Sequence, residues 1–370
     1  MKIGVLTSSR ADYGIYLPLL QKMQLDPFFE LEIIAFGTHL SKFHGYTLNE
    51  IEKGNFNKTH KISSLISNDD EQSIATAYGI TTLKFADFWA NNTYDWVLCL
   101  GDRFEMSAAV QAGIPFGVKF AHLHGGETTL GAIDNIYRHQ ITLAASLHFT
   151  ATEAYKNKVI DIIGTSKGVY TEGALSLDNI ESFEIIEKET FYAKFNIPKK
   201  DFALVTFQPE TVASKKNIIY AQAMKAALSK IVLDINLVIT MPNADTFGTV
   251  YRQVKEALKA DYPDKVILIE NFGKVNYFSA MKYAKLLIGN TSSGIIEAAS
   301  FGKYVVNVGD RQKGRAQSEN ILDCSFDTHD IVIKVNEVKN LGEYTGDNVY
   351  YKPNVATNII SILKKSYEEF

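Results

Sequence analysis

Asp102, His122, His124, Glu127 and Asp134 are the residues of this chain whose types and spacing can move protons. Asp102 stands in Gly101-Asp102-Arg103-Phe104, directly after the apolar run Trp96–Leu100. An acid at the end of a buried strand sits where parallel sheets bind ligands. The same residue could instead cap a helix beginning near Phe104. His122-Leu123-His124-Gly125-Gly126-Glu127 sets two imidazoles and a carboxylate beside flexible glycines. The two imidazoles share a face if the preceding strand continues. His-x-His spacing invites zinc, but no third ligand lies at short range and Glu127 need not bind metal, so a metal-free site is expected. Asp134 follows on a Gly-containing loop, with Arg138 and His139 about one helical turn beyond it. Asp102, Glu127 and Asp134 are thus expected to converge.

A second set of residues suits an anion. Gly289-Asn290-Thr291-Ser292-Ser293-Gly294-Ile295-Ile296-Glu297 lies between the apolar run Lys285–Ile288 and the helical Ala298-Ala299. A small, hydroxyl-rich strand-to-helix turn leaves backbone N–H groups free at the positive end of the helix dipole, which favours phosphate. Glu297, about one turn in, could accept from a ribose diol. The plainer alternative is a Ser-capped helix. Thr7-Ser8-Ser9-Arg10-Ala11-Asp12-Tyr13-Gly14 lacks the glycines of a dinucleotide fingerprint, which argues against a nicotinamide cofactor. Arg10 there could fork an anion or pair with Asp12. Gly309-Asp310-Arg311-Gln312-Lys313-Gly314-Arg315 is locally basic and could close a pyrophosphate site with Thr291 and Ser292, or be solvated loop charge.

Short apolar runs alternating with helix-length segments must position these groups. Ile3–Leu6, Leu31–Phe36, Trp96–Leu100, Lys119–Leu123 and Leu147–Thr150 read as strands in the first half. Ala203–Phe207, Asn236–Met241, Val266–Glu270, Lys285–Ile288 and Tyr304–Val308 do so in the second. Tyr13–Leu25, Phe104–Ala112, Asn217–Val232 and Val275–Tyr283 read as amphipathic helices. The alternation predicts parallel sheets built from βαβ units. At 370 residues two domains are expected. The predicted boundary follows Glu172, giving domains over 1–172 and 173–353, with a final helix over 354–370 able to pack back on the first. The fold class is α/β, two Rossmann-like domains facing a cleft.

Composition excludes several classes. Hydrophobic residues make up 46% and charged residues 22%, as in soluble globular chains. A net charge of −4 argues against a general nucleic-acid surface. Cys99 and Cys324 lie far apart without metal-ligand spacing, which excludes a disulfide framework and fits a cytoplasmic setting. The first apolar run is too short for a signal peptide, and none approaches the roughly 20 residues of a membrane span.

In order and spacing, Ser9-Arg10-Ala11-Asp12-Tyr13, Gly101-Asp102-Arg103-Phe104, Gly125-Gly126-Glu127, Ile133-Asp134, Arg138-His139, Gly289–Gly294, Gly314-Arg315 and Glu319-Asn320 resemble the hydrolysing UDP-N-acetylglucosamine 2-epimerases of sialic and legionaminic acid biosynthesis. The resemblance implies a glycosyltransferase-B-like pair of domains, a UDP-linked sugar as substrate, no metal or other cofactor, and a homodimer or homotetramer. It implies elimination of the nucleotide to a glycal, then hydration with inversion at C2. Asp102 and Asp134 match the family's catalytic acids. Arg10, Thr291, Ser292 and Arg315 match diphosphate contacts, with Arg103 and Ser293 beside them. Glu297 matches the ribose acid, and Gly173 and Asn243 match nucleotide-side positions. Two departures stand out. The family often carries Glu at the place of His124, leaving His124 or Glu127 to take the third proton-transfer role. It commonly carries His at the place of Gln208, which can hydrogen-bond but not titrate. A GDP-linked or 2,4-diacetamido-6-deoxy substrate is therefore an alternative.

Overall fold

The structure, a computed structural model, describes residues 1–42, 46–66, 68, 70–130, 133–210, 216–241, 248–270 and 272–368. Asn243 lies outside the described residues. Two compact units divide the chain: residues 1–127, 134–179 and 350–370 form the first, and residues 128–133 and 180–349 form the second.

The first unit is one seven-stranded, all-parallel sheet. Its elements in chain order are β1 (Lys2–Thr7), α1 (Arg10–Gln24), β2 (Glu30–Phe36), α2 (Leu48–Glu52), β3 (Lys58–Ile62), α3 (Glu71–Asn91), β4 (Trp96–Leu100), α4 (Phe104–Gly113), β5 (Phe120–Leu123), α5 (Asp134–Ala144), β6 (Ala145–Thr150), α6 (Glu153–Ile163) and β7 (Val169–Thr171). The strand order is β3-β2-β1-β4-β5-β6-β7, so the winding reverses between β1 and β4. Both faces are covered, which is why the strands read as unbroken apolar runs. Alternate residues of β4 enter different cores: Trp96, Leu98 and Leu100 face one, Val97 and Cys99 the other. The first core takes Tyr16, Leu19 and Leu20 of α1 together with Ile359 and Leu363 of the closing helix Val355–Glu368. The second takes Phe85 and Trp89 of α3 and Met106 and Val110 of α4. Each such fully buried side chain contributes about 1.5–3 kcal/mol.

The unit boundary falls after Asn179, later than the predicted Glu172. The intervening residues are tied to the chain's return. Ala174 N donates to Tyr350 O at 2.9 Å. Asp178 accepts from Ala356 N at 3.1 Å and pairs with Lys22 at 3.3 Å. Gly173 belongs to this crossing, at φ +88°, where a Cβ would stand 2.9 Å from that of Lys352.

The second unit contains α7 (Lys188–Lys194), β8 (Phe202–Thr206), α8 (Asn217–Ile231), β9 (Asn236–Thr240), α9 (Gly248–Asp261), β10 (Val266–Ile269), α10 (Gly273–Tyr283), β11 (Leu286–Gly289), α11 (Ser292–Ile296), β12 (Val305–Val308), β13 (Ile321–Cys324) and α12 (Thr328–Lys339). Its parallel sheet runs β10-β9-β8-β11-β12-β13, reversing between β8 and β11. In sequence order within the unit this is 3-2-1-4-5-6, the dinucleotide-fold order, and the first six strands of the other sheet share it. Both cysteines are free and buried. No helix among the described residues is long and apolar enough to cross a membrane.

Candidate active site

In the first unit the carboxyl ends of β1, β4 and β5 carry the sequence-predicted groups. Gly101, at φ +79°, turns the chain out of β4 and presents Asp102. Asp102 does not cap α4, whose N-cap is Arg103 with no side-chain cap. Its carboxylate instead makes a very short ion pair with Arg138 of α5. Arg138 is 2% exposed and joins the cluster together. Its Nη1 donates to His124 O at 2.7 Å and lies 3.7 Å from Glu127 Oε2. A guanidinium suits this place because its planar fork can serve several acceptors at once.

His122 and His124 do not share a face. The strand stops at Leu123, and His124 takes the left-handed conformation at φ +63°, uncommon for a side chain with a Cβ. His122 Nε2 lies 2.9 Å from Gly101 O, and its Nδ1 lies 3.2 Å from Thr142 Oγ1. A carbonyl only accepts, so the proton is on Nε2 and Nδ1 accepts from the hydroxyl. Burial lowers the His122 pKa to about 3, so it is a neutral strut beneath Asp102. With both ring nitrogens engaged, it is no zinc ligand. His124 Nδ1 lies 2.7 Å from Glu127 Oε1, with His124 and Glu127 both buried.

Asp134 is the first residue of α5, not a loop residue, and is half-buried. Burial first, then the charge of Asp102, push its pKa up to about 6, against the pull of Arg103 and Arg138. Asp102, His124 and Glu127 are thus linked through Arg138, and Asp134 feels the charges of Asp102 and Arg138. Arg103 forks the buried carboxylate of Glu105, at 3.2 and 2.9 Å. That pair weakens the expectation that Arg103 binds substrate.

At the end of β1, Asp12 turns inward rather than toward Arg10. Its carboxylate accepts from the Thr7 hydroxyl, from Ser8 N at 2.9 Å and from Ser9 N at 3.1 Å, and Ser9 completes a capping box. Burial works to raise its pKa, but His39, 3.9 Å away, and hydrogen bonds from Thr7 and Ser8 hold it below the usual value. This lock leaves Arg10, exposed at the first position of α1, clear of Asp12.

In the second unit the candidate anion turn leaves β11. Gly289 has φ +146°, and a Cβ there would stand 1.8 Å from Thr206 O, so only glycine fits against β8. Asn290 is fully buried. Its Oδ1 accepts from Gln208 N at 2.8 Å and its Nδ2 donates to Gln208 O at 2.9 Å, clamping the ends of β8 and β11. Its own carbonyl accepts from Gln312 Nε2 at 3.0 Å. Thr291 caps α11 by accepting from Gly294 N at 3.3 Å. The helix is only five residues long and gives way to a 3-10 turn at Ala298. Its dipole is therefore small, and the backbone donors of Ser292 and Ser293 carry most of the anion argument. Ser292 is exposed, Ser293 half-buried and Glu297 buried at 7%. Burial raises the pKa of the Tyr277 hydroxyl, against the pull of the nearby Ser293, Thr206 and Thr291.

The basic loop after β12 is held from the same side. Glu210 Oε1 accepts from Asp310 N at 2.7 Å, and Arg315 is half-buried within it. Leu130 N donates to Lys313 O at 2.9 Å. Lys255 of α9, fully buried, donates to Phe207 O and Thr240 O at 3.0 Å each, and burial lowers its pKa to about 7. Sequence reasoning left Asn290, Tyr277, Glu210 and Lys255 without a role and gave Arg138 none beyond its motif. Among these, a polar residue in the last strand turn, as at Asn290, was the only signal open to it.

Two parallel units wound in the same order, with polar clusters at their carboxyl ends, define a glycosyltransferase-B-like protein of two Rossmann-like units. The sequence profile described as UDP-N-acetylglucosamine 2-epimerase matches residues 21–364, and the chain belongs to this family. The GDP/UDP-N,N'-diacetylbacillosamine 2-epimerase (hydrolyzing) of Campylobacter jejuni is 33% identical, over 91% of this chain and 88% of that one. The UDP-N,N'-diacetylbacillosamine 2-epimerase (hydrolyzing) of Legionella pneumophila is 32% identical, over 98% and 95%. Among solved structures, the UDP-GlcNAc 2-epimerase of Neisseria meningitidis bound to UDP-GlcNAc superposes with a TM-score of 0.82 at 17% identity. It covers 99% of this chain and 100% of that one, a likeness of fold.

Proposed function

We propose that the chain is a hydrolysing nucleotide-sugar 2-epimerase. Its substrate is UDP-N-acetylglucosamine or a UDP- or GDP-linked 2,4-diacetamido-6-deoxy sugar. Its products are the nucleoside diphosphate and the free sugar inverted at C2. The observation that carries this reading is the Arg138-centred cluster, which gathers Asp102, His124 and Glu127, with Asp134 close enough to feel the charges of Asp102 and Arg138. The C2 proton is not next to a carbonyl and is weakly acidic. Cleavage at C1 must therefore lead, with carboxylates stabilising the developing cation. Inversion then needs one group to remove the C2 proton and another to return it from the opposite face. Within the second unit the Thr291–Ser293 turn and Arg315 supply donors for the diphosphate, Glu297 an acceptor for the ribose, and Gln208 a neutral hydrogen-bonding group; within the first unit Arg10 offers a contact for an anion. The activities for which the Campylobacter and Legionella relatives are named support the hydrolysing branch and the diacetamido sugars.

The test is incubation in deuterated water with UDP-N-acetylglucosamine and with UDP- and GDP-N,N'-diacetylbacillosamine, read by NMR. Free nucleoside diphosphate and a free 2-acetamido sugar carrying one deuterium at C2 are expected. Recovery of an epimerised sugar still bearing its nucleotide would assign the non-hydrolysing reaction instead. Binding without turnover over hours would make the chain a nucleotide-sugar sensor. The same reading expects a cytoplasmic homodimer or homotetramer, which light scattering checks for size.

A further inference from the structure

The proposed reaction needs a base for the C2 proton, and the residue types leave two candidates, His124 and Glu127. The geometry separates them. Glu127 Oε1 is 2.7 Å from His124 Nδ1. An ionised carboxylate can only accept, so this contact puts the imidazole proton on Nδ1 and leaves the lone pair on Nε2. His124 Nε2 is buried and has no hydrogen-bond partner among the described residues. An imidazole nitrogen left so costs about 1–3 kcal/mol, and such groups in native chains call for a reason such as catalysis. The backbone is strained to the same end. His124 holds φ +63°, and Arg138 fixes its carbonyl at 2.7 Å. The arrangement has the logic of a hydrolase triad, in which a buried carboxylate sets the tautomer and steadies the imidazolium that forms.

Building on the epimerase reading, we propose that His124 Nε2 is the base that removes the C2 proton and that Glu127 is its positioning residue. The Nε2–H bond forms as C2–H breaks. The diphosphate oxygen has by then left C1 with the C1–O pair, and the C–H electron pair fills that vacancy as the C1=C2 double bond. The imidazolium is balanced by Glu127. For hydration, the Asp134 carboxyl, which holds a proton to higher pH than an ordinary one, breaks its O–H bond as C2–H forms. Water oxygen bonds to C1, the proton water sheds passes to the Asp134 carboxylate, and the imidazolium returns its proton to solvent.

Two readouts test this on the full-length protein. The first needs no substrate: 15N NMR of the histidine rings, with the His124 signal assigned by its loss in His124→Asn. A ring protonated at Nδ1 is expected, and Glu127→Gln, whose amide can accept or donate, mixes the tautomers. A ring protonated at Nε2 overturns the proposal. The second uses whichever of the three nucleotide sugars above the wild type converts, in deuterated water. Glu127→Gln is expected to lower kcat by about 10²–10⁴-fold with KM within about threefold, a split that general loosening of the fold would not give. His124→Asn is expected to abolish deuterium entry at C2, and retained entry overturns the proposal. A wild type inert on all three sugars defeats the epimerase reading, and this catalytic role with it. The tautomer then reports whether the Glu127–His124 pair itself exists.

Discussion

Asp134→Asn should make the first unit more tolerant of neutral pH while removing activity. In the folded chain Asp134 holds its proton up to about 6, against an ordinary value of 3.8. The folded state therefore binds more protons between these values. The stability contributed by that proton is complete below 3.8 and is lost as pH rises through 6. The whole interval is worth about 3 kcal/mol. Between about pH 5 and about pH 7.5 the same two values give a loss of about 1.4 kcal/mol. The variant lacks this term, so the wild type should lose about 1.4 kcal/mol more than Asp134→Asn across that range. The assay is urea unfolding followed by tryptophan fluorescence. The two tryptophans, Trp89 and Trp96, both lie buried in the first unit, so the second does not report. Asp102→Asn gives a second arm. It removes the next-largest cause of the shift and should lower the pH at which the Asp134 carboxyl titrates by 13C NMR. Parallel stability curves for wild type and Asp134→Asn would refute the reasoning, because Asp134 would then be an ordinary solvated acid.

Other perturbations test other links. Arg138→Met strands Asp102, Glu127 and His124 O, and should cost about 3 kcal/mol by tryptophan-detected unfolding, the lower end for a buried pair because the Asp102 side chain is 25% exposed; a cost below half of that would mean the cluster is not organised by Arg138. Thr291→Ala removes the α11 cap and should weaken UDP or GDP binding about fivefold by calorimetry, equivalent to about 1 kcal/mol. Unchanged affinity would count against this turn as the anion site. Gly289→Ala should destabilise the second unit by more than about 4 kcal/mol by circular dichroism, since its Cβ would overlap the Thr206 carbonyl; a normally folded variant would contradict the strand packing.

The central strands were legible because each is an apolar run buried on both faces. The edges were not. β3 reads Lys-Thr-His-Lys-Ile, has no fully buried residue, and gains its place from pairing with β2. β7 is three residues long. The 21-residue α3 has a weak apolar stripe, because small residues such as Ala75, Gly79 and Ala86 interrupt it. At the site, Asp102 and Asp134 could be named from their places after a strand and before a helix. What they do to each other could not. The rise in the Asp134 pKa depends on burial and on the distance to Asp102, neither of which sequence spacing supplies. Asp12 shows the same limit: beside Arg10 in sequence, it faces Thr7, Ser8 and Ser9 in space.

The closing helix has a consequence for biogenesis. Val355, Ile359 and Leu363 complete a core begun by Ile3 and Val5, so the first unit is sewn shut by residues that follow the whole second unit in the chain. While residues 180–349 are being synthesised, the flank of α1 that receives this helix has no cover and is open to chaperones or to aggregation. A truncation that removed residues 350–370 would therefore injure the unit built around residues 1–127 and not the one it follows in sequence.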